Sequence, residues 1–213
     1  CRPAFNFGRD AHTVTVHSAG AIFRSASLTI GLVSPVPLVT NQEAVEAEFV
    51  LEAGQQVTFF LIQLESETTE SVLDVPQTDE TALQETMAYW RTWLSQCRYT
   101  GRWREMVQRS ALTLKLLTYA PTGAIVAAPT TSLPEAIGGT RNWDYRYTWI
   151  RDAAFTLYAL LRLGFSKEAG RFMQWLEARC HELNPDGSLQ VLYSIDGHRI
   201  TQEEVLSHWE GYR

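Results

Sequence analysis

The sequence predicts a chain in two parts, a β-sandwich followed by packed helices, and three observations carry that expectation. Short β-branched runs recur between Gly and Pro breaks over the first 75 residues. After Val75-Pro76 the apolar spacing changes from two residues to a helical period. The charge divides at the same place: residues 1–80 carry Arg2, Arg9 and Arg24, no lysine and eleven acids, net −8, while the remainder is +2.

The strand-like runs are residues 13–17, 21–23, 27–30, 45–51 and 57–62, a spacing that suits a sandwich. In the fourth, Ala47, Phe49 and Leu51 alternate with Glu46, Glu48 and Glu52, which predicts a strand with one wet face. Leu83, Met87, Trp90 and Leu94 then form a helical stripe that Asp79 or Thr81 caps. A second helix is expected from about Arg102 to Pro121, with Trp103, Met106, Val107, Ser110, Leu114 and Leu117 on its apolar side. The boundary between the parts falls around residues 76–80.

Residues 124–139 are nonpolar, proline-punctuated and too irregular for an element, the kind of long ordered connection that often carries function. Trp143, Tyr145, Tyr147 and Trp149 follow at period two. The next helix, with Phe155, Leu157, Tyr158, Leu160 and Leu161, is apolar nearly all round and reads as an inner helix. Ala169, Phe172, Met173, Leu176 and Cys180 form a one-sided stripe, an outer helix packed on it. Asn184-Pro185-Asp186-Gly187 turns the chain. Leu189, Val191 and Tyr193 before Asp196-Gly197 predict a short hairpin. Thr201 and Glu204 match a capping box for a last helix to Trp209.

Composition bounds the function. The 213 residues carry a formal charge of −6, which argues against a general nucleic-acid binder. At 45% hydrophobic and 20% charged, the chain has material for a packed core. No run reaches the roughly 20 apolar residues of a membrane span; the most apolar stretch, 153–163, is broken by Thr156, Tyr158 and Arg162. Cys1, Cys97 and Cys180 are too few and too far apart for a disulfide framework or a redox pair, and are expected as buried small hydrophobes in a reducing, cytoplasmic setting. A lipid on Cys1 is disfavoured because no signal peptide is visible. The absent initiator methionine and the ending at Arg213 point to a fragment. His12, His17, His181, His198 and His208 lack paired ligand spacing, so no metal is expected. Gly138-Gly139 lacks the context of a phosphate loop and is expected only to bend the chain.

The densest polar and aromatic constellation is Arg141-Asn142-Trp143-Asp144-Tyr145-Arg146-Tyr147-Thr148-Trp149-Ile150-Arg151-Asp152. A sugar presents apolar C–H faces and a rim of hydroxyls, so its site calls for aromatic platforms beside carboxylate acceptors and guanidinium donors. The same residues also suit a structural arrangement, with Asp152 as a helix N-cap, Arg151 as its ion-pair partner and the aromatics as core.

Residues 138–153, Gly138-Gly139-Thr140 followed by that constellation and Ala153, resemble the signature of glycoside hydrolase family 15, which comprises glucoamylases, glucodextranases and bacterial trehalases. Residues 124–135 and 189–197 are also similar to bacterial members. The resemblance implies a partial β-sandwich over 1–78, a helical linker over 79–100, and the first helices of an (α/α)6 toroid over 101–213. Carried over position by position, Tyr145 and Trp149 line the pocket for a non-reducing terminal glucosyl unit, and Arg151 and Asp152 hold its hydroxyls. The implied activity is inverting, exo-acting hydrolysis of an α-glucan oligosaccharide or trehalose without a cofactor. Inversion needs an acid and a base roughly 6.5–9.5 Å apart; in the family both are glutamates beyond the position of Arg213, so Glu135 and Glu210 are given structural roles and no catalytic residue is assigned here. A rival class is a noncatalytic carbohydrate-binding protein that keeps the pocket and has lost a glutamate.

Overall fold

The computed structural model describes residues 1–65, 79–200, 202–209 and 211–212. Contacts divide the chain into two compact units, Cys1–Met87 and Ala88–Arg213. Most of the expected boundary at 76–80, the side chain of Asp79, and Thr201, Glu210 and Arg213 lie outside the described residues.

The first unit is antiparallel. Strands β1 (His12–His17), β2 (Gly20–Ser25) and β3 (Thr29–Val33) run as a meander, and β6 (Phe60–Leu64) adds to the outer edge of β3. Register follows from pairs such as Thr15 with Ile22 and Gly31 with Ile62. Successive residues point to opposite faces, so Ala21 and Phe23 pack with Phe5, Leu32 and Val45, while Ile22 packs with Leu64 on the reverse side. Both faces of β2 are thereby buried. Gly20 opens β2 where the chain comes so close to β3 that a side-chain carbon would overlap the Leu32 carbonyl oxygen. A separate ribbon pairs β4 (Val39–Asn41) with β5 (Ala44–Glu46).

The expected strand over 45–51 is corrected: it stops at Glu46, and Phe49, Val50 and Leu51 are exposed in irregular chain. Alternation alone does not hold a strand that finds no partner ladder, because its backbone donors then bond better to water.

The second unit is helical. It contains the C-terminal part of α1 (Asp79–Leu94), from Ala88 on, then α2 (Arg104–Leu116), α3 (Ile150–Leu163) and α4 (Ser166–Cys180). Thr81 lies inside α1 rather than before it. Two apolar clusters meet along α3. Ala153 and Leu157 pack with Ala124, Ile125, Ala169, Phe172, Trp175 and Tyr193, and Leu160 packs one turn further on with Trp93, Ala111 and Phe165. Gly164, at φ 99°, ends α3 in the left-handed conformation that costs glycine little, and the Phe165 N–H returns to the Leu160 carbonyl.

Between α1, α2 and α4 sits a buried carboxylate. Glu168 accepts the Trp93 indole N–H at 2.7 Å and pairs with Lys115 Nζ at 2.9 Å through the same oxygen. The Trp93 ring stacks on Phe165 with centroids 3.9 Å apart. Burial raises the Glu168 pKa, but Lys115 and Trp93 outweigh it and hold the carboxyl below its ordinary value.

Several helical expectations are corrected. On α2, Trp103 and Met106 are exposed and the buried residue is Ala111, because that face meets Trp93 and Leu160. On α3, Phe155, Tyr158 and Leu161 are exposed, so its burial is one-sided. On α4, Ala169 and Phe172 are buried as expected, but Met173 and Cys180 are exposed and Glu168 and Trp175 take their places inward. Residues 202–209 form turn and irregular chain in place of a helix, with Val205 and Trp209 exposed, so little apolar burial supports a short helix there. Cys1 is exposed and Cys97 half-buried, so only Cys97 approaches the expected burial; all three thiols are free.

Candidate sugar site

The aromatic segment is held by two irregular ladders. Residues 126–135 run antiparallel to 141–147: Ala127 N–H donates to the Tyr147 carbonyl at 3.0 Å, Ala128 to Tyr145 at 2.9 Å, and Tyr145 back to Thr130 at 3.2 Å. Ser132 fixes Trp143 with both its backbone and its hydroxyl. The reversal between them uses Gly138, at φ 74°, and the Gly139 N–H bond to Ala136. The long nonpolar connection is thus the backing of the aromatic segment, with Ile125 and Ala124 anchoring its start in the core.

The second ladder is β7 (Thr148–Trp149) against β8 (Leu192–Tyr193), with Thr148 opposite Tyr193 and Trp149 opposite Leu192. Asp196-Gly197 does turn the chain after β8, through the Gly197 N–H to Ser194 and Ser194 N–H to His198. There Tyr193 bridges Arg199 across the turn, as the expected hairpin requires, and on its other side β8 pairs with a segment some 45 residues earlier.

These ladders bring Tyr145, Tyr147 and Trp149 together. The Trp149 ring meets Tyr145 edge-on at 5.5 Å and 69°, and Tyr147 at 6.4 Å and 79°. All three are half-buried. On the alternate positions, Asp144 and Arg146 form a fork, Nε to Oδ1 at 3.0 Å and an η-nitrogen to Oδ2 at 2.9 Å, and Asp144 also accepts the Arg146 backbone N–H. Burial pushes the Asp144 pKa up, yet these bonds to Arg146 prevail and lower it; the same carboxylate raises that of Arg146.

Trp149 is the N-cap of α3, without a side-chain cap bond, which places Arg151 and Asp152 in the first turn. The expected structural use of Asp152 as the N-cap is therefore not what forms. A carboxylate there is favoured by the helix dipole. Its Oδ2 is shielded from solvent and has no hydrogen-bond partner among the described residues, the nearest cation being Arg151 Nε at 3.5 Å. Arg151 itself is largely exposed. Tyr145, Trp149, Arg151 and Asp152 thus share one short stretch of chain at the foot of α3, with half-buried rings, an exposed guanidinium and a part-exposed carboxylate.

The Glu135 side chain forms an exposed ion pair with Arg141 at 3.5 Å. Among the described residues no group of three His, Cys, Asp or Glu side chains gathers as a metal site, and no helix is long and apolar enough to cross a membrane. An open recess of about 370 Å³ in the first unit, lined by Cys1, Leu32, Leu38, Val45, Phe49 and Phe59 among others, lies outside the aromatic segment.

Sequence reasoning missed Asn184, Gln190 and Tyr193 as supports of this region, although the turn and the alternation around them were readable. It also missed Trp175, which packs edge-on against Tyr193 and would have appeared had the α4 stripe been drawn one position earlier.

Residues 101–213, just over half of the chain, match the family model described as glycosyl hydrolases family 15, and the chain belongs to that family. More particularly, it is 39% identical over its whole length to a protein named trehalase from Thermoplasma volcanium, and 38% to one from Thermoplasma acidophilum. A trehalase from Mycolicibacterium smegmatis is 48% identical over 64% of this chain and 21% of its own. The chain spans about a third of the length of the two Thermoplasma relatives. No solved structure matches it.

Proposed function

We propose that the protein carrying this chain is an inverting, exo-acting α-glucoside hydrolase with trehalose as its leading substrate, and that this part supplies one wall of the site for the terminal glucosyl unit. The observation that carries the reading is the grouping of Tyr145 and Trp149, rings 5.5 Å apart, with Arg151 and Asp152 two and three residues further on. Similarity to trehalases over the whole chain supports trehalose over other α-glucans.

In this reading the rings cover the apolar C–H faces of the sugar, Asp152 accepts from hydroxyls through the exposed part of its carboxylate, and Arg151 donates to them. Such bonds speed the reaction where they tighten as the ring flattens toward an oxocarbenium-like state. The proton donor and the base are glutamates supplied by sequence beyond Arg213, so this chain alone is inactive. No cofactor takes part. Residues 1–78 belong to a β-sandwich, 79–100 to a linker and 101–213 to an (α/α)6 toroid. Three free thiols support a reducing, cytoplasmic location.

A proton NMR time course on the complete gene product tests this, with trehalose, maltotriose and isomaltotriose offered in parallel. Glucose is expected fastest from trehalose, with α- and β-glucose in equal amounts at first, β from the attacked unit and α from the leaving one, while any glucose freed from maltotriose or isomaltotriose starts as β. α-Glucose alone at first overturns inversion, and no glucose from a folded protein that still binds sugar favours a noncatalytic carbohydrate-binding protein.

A further inference from the structure

Tyr193 is fully buried, so it cannot touch a sugar. It nevertheless controls the backbone on which the proposed wall stands. In β8 it lies opposite Thr148 of β7, and on its other side it bridges to Arg199. Its ring meets Trp175 of α4 edge-on at 5.7 Å and 89°, tying the strand to the core. Its hydroxyl accepts the Gln190 backbone N–H at 3.0 Å.

From Gln190 the bonds continue. Gln190 Nε2 donates to Asn184 Oδ1 at 2.7 Å, Asn184 Nδ2 donates to the Ser188 hydroxyl at 2.9 Å, and the Asn184 N–H donates to the Ser188 carbonyl at 2.8 Å. The turn over 184–190 is therefore closed on itself by Asn184 and fastened to the core by Tyr193. Its next residue, Val191, gives its carbonyl to the N–H of Ile150 at 3.2 Å. That N–H is the first of α3, one of the donors a helix leaves unpaired at its start.

A ladder of two residues has little stability of its own, so the position of β7 depends on what fixes β8. Trp149 lies in β7, and Arg151 and Asp152 lie within two residues of the Ile150 bond. We propose that Tyr193, Gln190 and Asn184 form a positioning unit that fixes Trp149 and the first turn of α3, and so sets the affinity for a terminal glucosyl unit. This rests on the reading of that segment as a sugar site.

The test uses the complete gene product and two readouts at 25 °C, the inhibition or binding constant for 1-deoxynojirimycin, a glucose-configured amine, and kcat and KM for trehalose. Tyr193→Phe removes only the hydroxyl and leaves the ring on Trp175. It is expected to weaken deoxynojirimycin about tenfold and to lower kcat/KM by a similar factor, since sub-ångström displacement of contact groups has effects of this order. Asn184→Ala is expected to act alike, and Asn184→Asp, which keeps the acceptor for Gln190 but loses the donor to Ser188, to weaken affinity less than Asn184→Ala. The Asn184 pair, on a part-exposed turn, decides the matter if Tyr193→Phe fails to fold. Lowered melting temperatures with unchanged binding constants and KM overturn the proposal. A wild-type protein that neither binds the amine nor cleaves trehalose overturns the sugar-site reading and this inference together; one that binds, with variants that bind equally, overturns the positioning role alone.

Discussion

Glu168 looks like a solvent residue in the sequence, one acid in the charged first turn of α4, yet it is almost fully buried. What makes it tolerable is invisible locally, because Lys115 and Trp93 come from two other helices. Glu168→Ala strands the Lys115 ammonium and the indole N–H, and is expected to cost about 3 kcal/mol by chemical denaturation. A loss near zero would mean that water or a neighbour replaces the carboxylate. Because the folded-state pKa lies below the ordinary 4.5, the stabilisation is complete well above that value. It is lost as pH falls below 4.5 through the folded pKa. Asp144 acts in the same direction. Acid titration of stability should therefore be shallower in Glu168→Gln than in the wild type. At the proposed sugar site, Asp152→Asn in the complete gene product should lower kcat/KM for trehalose by at least tenfold; near-normal turnover with unchanged binding would remove Asp152 from that site.

Elements were legible where local pattern and packing agree. The meander β1 to β3, the cores of α3 and α4, and the Asn184 to Gly187 turn follow from period, β-branching and turn chemistry. The misreadings share one cause, that partners distant in sequence decide which face is covered. On α2 the large residues Trp103 and Met106 suggested the buried side, but small Ala111 is what lets Trp93 and Leu160 approach. On β8 alternation announced a strand without saying that its partner would be β7. Two glycines set element geometry in ways that substitution would expose. Gly20→Ala should be the harsher, on the order of 3 kcal/mol, because the added carbon meets backbone of β3 that cannot move alone. Gly164→Ala should cost about 1 kcal/mol for the left-handed cap, with the flexible Arg98 side chain moving aside. Thermal melts of the two variants check that order.

Across the molecule, the resemblance carried by residues 138–153 told more than any periodicity, since it spans a motif too long to arise from composition. The proposed wall residues Tyr145, Trp149, Arg151 and Asp152 could be named from it; their mutual geometry could not, because it depends on the ladders to 126–135 and to β8. The exposed row Phe155, Tyr158 and Leu161 gives a test of the proposed toroid. In the isolated 213-residue chain, exchanging Phe155 and Leu161 for serine should reduce dye binding and light scattering, because it removes an open apolar patch. In the complete gene product the same pair should instead be destabilising by several kcal/mol, on the order of 3 kcal/mol for the phenylalanine, if further helices cover α3. Equal behaviour in both would count against the toroid.

The free thiols have a practical consequence. Cys1 and Cys180 are exposed and fall one on each compact unit, while Cys97 is half-buried. With Cys97 replaced by serine, maleimide dyes on the two native positions turn the spacing between the units into an energy-transfer efficiency. Single-molecule histograms of that efficiency, recorded with and without trehalose, then separate a fixed arrangement, with one narrow peak, from units that reorient when sugar binds.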